Sequence, residues 1–168
     1  IDKELKSVEE KKGGLDKLLP ELTSIFNISD QKPQVKFFEG KDGILALQKE
    51  FFKGGQGIIY SATSLDNVFE VFPDIEKTYT KARVKKQFHS KVIYTSKRGP
   101  ILKESDQVNL RESKYLEPAL LPFGADITVF GDKIAIMALK GKISGTLIEH
   151  KEIADSFRSI LELLWNKI

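Results

Sequence analysis

Few residue types in this chain can do chemistry. It has 168 residues, no cysteine and two histidines, His89 and His150. Without cysteine there are no disulfides, no thiolate-ligated zinc, no iron–sulfur cluster and no thiol catalysis. Two histidines this far apart in sequence do not read as a metal site, so no metal and no cofactor is expected. His89 opens the run His89-Ser90-Lys91 in a strand-like segment. A histidine becomes an effective nucleophile or base only when a partner group orients and activates it. The carboxylates Glu104, Asp106, Glu112 and Glu117 fall in an irregular stretch, and their spacing pairs no two of them for acid–base work. Gly54-Gly55-Gln56-Gly57 precedes a strand, so its glycines would not face a helix N-terminus as a dinucleotide loop requires.

Charge is nearly balanced at +3, with one local surplus. Lys81, Arg83, Lys85, Lys86 and Lys91 fall within one short acid-free stretch. Such a patch attracts phosphates, or it is simply a solvated helix end or a protected edge strand. The second reading is preferred, because the rest of the chain is balanced.

The elements that would position these groups follow from periodicity. Apolar residues make up 40% and charged residues 30%, as in a folded globular chain. No apolar run approaches the ~20 residues of a membrane span, and the charged start is not a secretory signal. Residues 1–28 read as a dimerising leader helix. With Ile1 at a heptad d position, the seam runs Ile1, Leu5, Val8, Lys12, Leu15, Leu19, Leu22, Phe26. Lys12, Gly13-Gly14 and Pro20 weaken it, predicting a bent or two-part helix. The chain opens in mid-pattern without Met, so it is expected to be cut from a longer protein.

The domain proper is expected over 33–168. Predicted strands are Gln34–Phe38, Gly57–Ser61, Phe88–Thr95, Asp126–Phe130, Lys133–Leu139 and Lys142–Ile148. Predicted helices run from an Asp42 cap to Lys53, stopped by Gly54-Gly55, then from Thr63 or Ser64 to about Thr80, and over Lys151–Lys167. Gly131-Asp132 signals a hairpin turn. The stretch 99–121 is the least periodic. His150 reads as part of a cap region, and Trp165 as core or packed on the leader. Together these predict an α/β fold, a mixed sheet with helices on both faces.

Two resemblances extend this reading. His89-Ser90-Lys91 resembles the start of the H-x-K-x4-D motif of phospholipase D enzymes. There the histidine attacks a phosphodiester and the lysine holds phosphate oxygens. Ser96 stands where that motif has its aspartate. The segment Gly131 to Ala138, the strand after it and the helix ending Leu164-Trp165 also resemble the last third of that fold. Lys133 matches the motif, but Gly131 and Ala138 occupy its histidine and aspartate places. The resemblance therefore implies a non-catalytic copy.

Nearly the whole chain resembles the C-terminal part of TrmB-type transcriptional regulators. The resembling stretches are Leu18 to Leu22, Pro33 to Ile44, Leu110 to Leu116 with Pro118, Phe130 to Ala135, and Ile148 to Ala154 with Leu164-Trp165. The family implies a winged helix-turn-helix, a dimerising helix and a phospholipase D-like domain that senses an effector. The helix-turn-helix would lie upstream of Ile1. Sugar-binding members carry a C-terminal extension not present before Ile168.

The expected protein is thus a cytoplasmic homodimer that contacts DNA through a domain outside this chain. Its α/β domain would sense a small or anionic effector. A pocket is expected at the carboxyl ends of the central strands, with Ser61, Thr63, His89, Lys91, Asp132 and Lys133 as candidate ligand residues. The rivals are a phosphodiesterase or nuclease using His89 and Lys91 across a dimer, and a ligand-free dimerisation module.

Overall fold

The computed structural model describes residues 32–53 and 57–168. Pro33–Ile168 forms one unit and Ile1–Lys32 another. The expected leader helix and its seam lie outside the described residues, as does the Gly54-Gly55 helix stop.

Seven strands form one sheet in the order β1-β7-β6-β5-β2-β3-β4. They are β1 (Gln34–Glu39), β2 (Ile58–Ser64), β3 (His89–Thr95), β4 (Arg111–Leu116), β5 (Asp126–Phe130), β6 (Lys133–Ala138) and β7 (Ser144–Glu149). β2, β3 and β4 run parallel, and the remaining neighbours are antiparallel. The helices are α1 (Gly40–Glu50), α2 (Leu65–Val71), a π-helical turn (Glu76–Thr80), α3 (Lys81–Lys85) and α4 (Lys151–Lys167). Parallel strands need crossovers, and α2 through α3 supply the one between β2 and β3. The sheet is mixed and covered on both faces.

Alternation along the strands divides the core into two layers. Ile59, Phe130, Met137 and Leu147 pack on one face against Ile44 and Leu47 of α1 and Val68 and Val71 of α2. Ala62, Ile93, Val129 and Ile134 pack on the other against Ala154 and Leu161 of α4. Each such side chain contributes roughly 1.5–3 kcal/mol when fully buried. α1 lies close on β7 because position 145 is glycine. A Cβ there would meet Ile44 Cδ1 and Leu47 Cδ1, each at 2.9 Å.

α4 has the bounds its periodicity predicts. His150 caps it, its Nδ1 accepting from Ile153 N at 3.5 Å. Lys114 Nζ donates to the Trp165 carbonyl at 2.7 Å, placing a cation at the helix's negative end. Trp165 packs in the α4-side layer, with Lys91 and Lys114 ammonium groups over its ring. Gly131, at φ +51, makes the hairpin turn between β5 and β6.

Several boundaries differ from expectation. α1 starts at Gly40, and its N-cap Glu39 makes no side-chain capping bond. Asp42 is instead in the first turn, where its charge still suits the helix's positive end. Gly40, at φ +71, lets the chain turn from β1 into the helix. The single helix expected up to Thr80 is broken after Val71, since Pro73 cannot continue it. β2 extends three residues past Ser61. β4 lies within the stretch read as irregular.

Candidate functional site

The face that α1 and α2 cover is apolar at one end and polar further along. Residues two apart on a strand share a face, so β2 presents Ile59, then Ser61, then Thr63. β5 presents Phe130, then Thr128, then Asp126. The register places Ser61 opposite Thr128 and Ala62 opposite Ile127, so Thr63 and Asp126 stand one step further along. On the other side of β2, Ser90 and Val92 of β3 and Arg111 of β4 continue the row. α2, the π-helical turn and α3 lie over this polar band and form with it a half-open cavity of about 110 Å³.

Asp126 is the most perturbed acid in it. Burial pushes its carboxyl up from 3.8 to about 6, while the Thr63 and Thr128 hydroxyls pull it back. Thr128 Oγ1 donates to Asp126 Oδ1 at 2.9 Å. The Thr63 hydroxyl faces the same carboxyl but does not reach hydrogen-bond geometry. Thr63 is 4% exposed, and among the described residues its Oγ1 is the buried side-chain polar atom left without a hydrogen-bond partner. An orphaned hydroxyl of this kind costs about 1–3 kcal/mol.

The far wall is a closed ionic network. Arg111 Nε donates to Asp106 Oδ1 at 2.8 Å and its Nη1 to Glu76 Oε1 at 3.2 Å. Arg111 Nη2 reaches Ser105 Oγ at 2.7 Å and the Leu102 carbonyl at 3.2 Å. Asp106 Oδ2 accepts from Ser113 N and Ser113 Oγ, at 3.0 and 2.6 Å. Arg83, 2% exposed, donates to the carbonyls of Phe88, Leu110 and Asn109. Its burial lowers the guanidinium's pKa from the usual value. Leu110 is held at φ +47 with its carbonyl accepting from Arg83 and Ser90, a conformation that the surrounding bonds enforce. Tyr79 also lines the cavity, and burial pushes its phenol well up.

The six residues singled out from sequence do not share one cavity. Ser61 and Thr63 line the one just described. His89 and Lys91 line a second, of about 300 Å³, with Asp106, Arg111 and Glu112. Asp132 and Lys133 line a third, of about 490 Å³, with Tyr60, Glu149 and Arg158. Strand direction and alternation explain the division, since His89 and Lys91 take the opposite face of β3 from Ser90 and Val92. His89 pairs with Ile58 at the start of β2, and antiparallel β5 brings the hairpin to that same end. Only Ser61 and Thr63 lie toward the carboxyl end. Lys91 pairs with Glu112 at 3.9 Å and Lys133 with Glu149 at 3.8 Å. The basic stretch is divided too: Arg83 is buried, while Lys81, Lys85 and Lys86 face solvent.

Asp126, Thr128, Arg83 and Arg111 were not singled out from sequence. A signal for the first two was present. Ser61, Thr63, Asp126 and Thr128 alternate with apolar residues on central strands, so one face of each strand is polar where burial is expected.

No protein-family model matches the sequence, and no curated protein matches it either. Solved structures do. TrmBL2, an archaeal chromatin protein whose structure shows a novel mode of DNA binding, is 18% identical, with a TM-score of 0.56. The match covers 99% of this chain and 65% of that one, so this chain spans somewhat under two thirds of TrmBL2. NucT from Helicobacter pylori is 8% identical over 80% of this chain and 97% of its own, with a TM-score of 0.57. Nuc from Salmonella typhimurium, a phospholipase D family member, is 16% identical over 80% of this chain and 95% of its own, with a TM-score of 0.50. At these identities the likeness is one of fold: the chain has a phospholipase D-like mixed α/β fold, and its resemblance to the TrmB type holds in three dimensions.

Proposed function

We propose that Pro33–Ile168 is the non-catalytic, effector-sensing domain of a TrmB-like transcriptional regulator. The supporting observation is the composition of the cavity. It holds the Asp126 carboxyl, an Arg111-paired Glu76 and an unpartnered hydroxyl, and neither histidine of the chain lines it. A phospholipase D-type reaction needs a histidine nucleophile oriented by a carboxylate. His150 is used to cap α4, and His89 is exposed at the start of β3, on the sheet face opposite to its neighbour Ser90, which lines the cavity. Such a cavity suits binding better than turnover.

The test is turnover of bis(p-nitrophenyl) phosphate by the intact chain. No metal-independent hydrolysis is expected. Hydrolysis abolished by His89→Ala would overturn the reading and establish the phosphodiesterase in which His89 and Lys91 act across a dimer.

In this reading residues 1–28 hold two copies together through Leu5, Val8, Leu15, Leu19, Leu22 and Phe26. Two winged helix-turn-helix heads, outside this chain, would then meet neighbouring DNA half-sites. The fold shared with the DNA-binding TrmBL2 supports a regulator on DNA. Among the described residues, no helix is long and apolar enough to cross a membrane. A cytoplasmic location completes the proposal. Sedimentation with and without residues 1–26 tests the dimer: the mass class changes if the leader joins the copies, and a monomer in both forms contradicts it.

A further inference from the structure

We propose that the cavity beside Thr63 takes a small organic cation, its primary ammonium group seated on the Asp126 carboxylate and the Thr63 hydroxyl. This rests on the effector reading above and names the ligand's chemistry.

The argument begins with a missing counter-charge. Asp126 has two hydroxyls and the wall of its own burial for company, and no cation acts on it appreciably. The two arginines lining the cavity are engaged elsewhere. Arg111 is held by Asp106 and Glu76, and Arg83 by three carbonyls. Isolated buried carboxylates are unfavourable until a positive charge pairs with them. An entering ammonium supplies that charge.

Thr63 gives the second, independent indication. Its hydroxyl is buried and unpartnered, and it lines the cavity next to the carboxyl. An ammonium group has three donors. One to Asp126 and one to Thr63 would satisfy both groups at once, with Ser61 on the same strand face in reach of the region.

The rest of the lining sets the ligand's body. Leu65, Val68, Phe69 and Phe72 form an apolar wall. A volume of about 110 Å³ equals about four waters' share of liquid volume. This suits an amine with a short carbon chain. A divalent metal is a poor fit, because Glu76 is paired with Arg111 and the Asp126 carboxylate among hydroxyls falls short of the oxygen ligands such an ion takes. An anion would meet the Asp126 charge.

Calorimetric titration of the full chain with n-butylammonium, 1-pentanol and butyrate tests this. The expected result is saturable one-to-one binding of n-butylammonium, at least tenfold tighter than either control. Asp126→Asn should weaken it at least tenfold, and Thr63→Val severalfold. Binding should also weaken from pH 7.5 to pH 5 as Asp126 takes up a proton. The groups facing that carboxyl, Thr63, Thr128 and Tyr79, stay neutral over this range, and the cavity's other charged groups are bonded elsewhere, Glu76 to Arg111 and Arg83 to three carbonyls. Equal binding of the alcohol, or unchanged binding by both variants, overturns the inference. So does the absence of binding across the propyl-to-hexyl ammonium series. If a polyol, nucleotide or carboxylate stabilises the chain while the ammonium series does not, the cation falls and the effector reading stands. If no compound stabilises it, both fall.

Discussion

Arg111 and Asp106 form an ion pair of 2.8 Å with side chains only 6% and 11% exposed. The pair ties β4 to the loop before it. It also fixes the cavity's far wall, because the second Asp106 oxygen holds both the backbone and the hydroxyl of Ser113. Removing one member of a buried pair leaves the other uncompensated, which costs about 3–5 kcal/mol. Asp106→Ala should therefore be among the most destabilising single changes on this side of the sheet. Urea unfolding of variant and parent measures it, and a loss under 1 kcal/mol would mean that solvent reaches the pair.

Thr63→Val should have the opposite sign in the free protein. The hydroxyl is buried without a partner, and valine keeps its shape while removing the unsatisfied group. A gain of about 1 kcal/mol is expected near pH 5, where Asp126 is protonated and the hydroxyl steadies no carboxylate, read as a higher thermal midpoint. A loss of similar size would mean that the hydroxyl is bonded in solution.

The Asp126 carboxyl gives the domain a signed pH dependence. Its folded value of about 6 exceeds the ordinary 3.8, so between those values the folded state binds more protons than the unfolded state. Stability conferred relative to a neutral group thus falls as pH rises through that window, and the deficit is complete above about 6. The deficit is at most about 3 kcal/mol at pH 7, because the side chain is half-buried and solvent screens part of it. Asp126→Asn should raise unfolding free energy by up to that much at pH 7.5 and change it little at pH 4. Denaturant curves of both proteins at the two pH values check the sign, and a variant effect independent of pH would contradict it.

The end of α3 holds a removable strain. Gln87 sits at φ +59, with Gln87 N bonded to the Val84 carbonyl at 2.9 Å and Phe88 N to the Arg83 carbonyl at 3.2 Å. That is the Schellman pattern, which favours glycine at this position. The Gln87 side chain is exposed. Gln87→Gly is expected to stabilise by about 1 kcal/mol, measurable as a shift in the denaturation midpoint.

The sequence showed the elements whose burial is simple and missed those with internal polar bonding. α4 was legible to its last residue, because Ile153, Phe157, Leu161 and Leu164 repeat at helical spacing around one face. β4 was not, because Arg111, Glu112, Ser113 and Lys114 carry no hydrophobic alternation. Arg111 and Ser113 are turned inward by satisfying Asp106, a relation between side chains that periodicity does not report. The end of β2 was placed early for a related reason. Ser61 read as the end of the strand and Thr63 as a helix cap after it, whereas both lie within β2 and face a cavity. Of the cavity's polar lining the sequence thus yielded Ser61 and Thr63. It could not yield Asp126 as their partner, since that neighbour depends on the β2–β5 register. His89 and Lys91 were conspicuous by motif, and alternation along β3 turns them to the other face of the sheet from Ser90 and Val92.

The central claim is that the cavity between the sheet and the α2–α3 layer receives a small molecule. The most direct measurement is thermal unfolding of the chain, beside Asp126→Asn, across a library of amines, sugars, nucleotides and anions at rising concentration. The account predicts a midpoint that climbs by several degrees with concentration of at least one class, as ligand linkage requires, and that climbs far less in the variant. No concentration-dependent rise with any class, or an equal rise in both proteins, would contradict it.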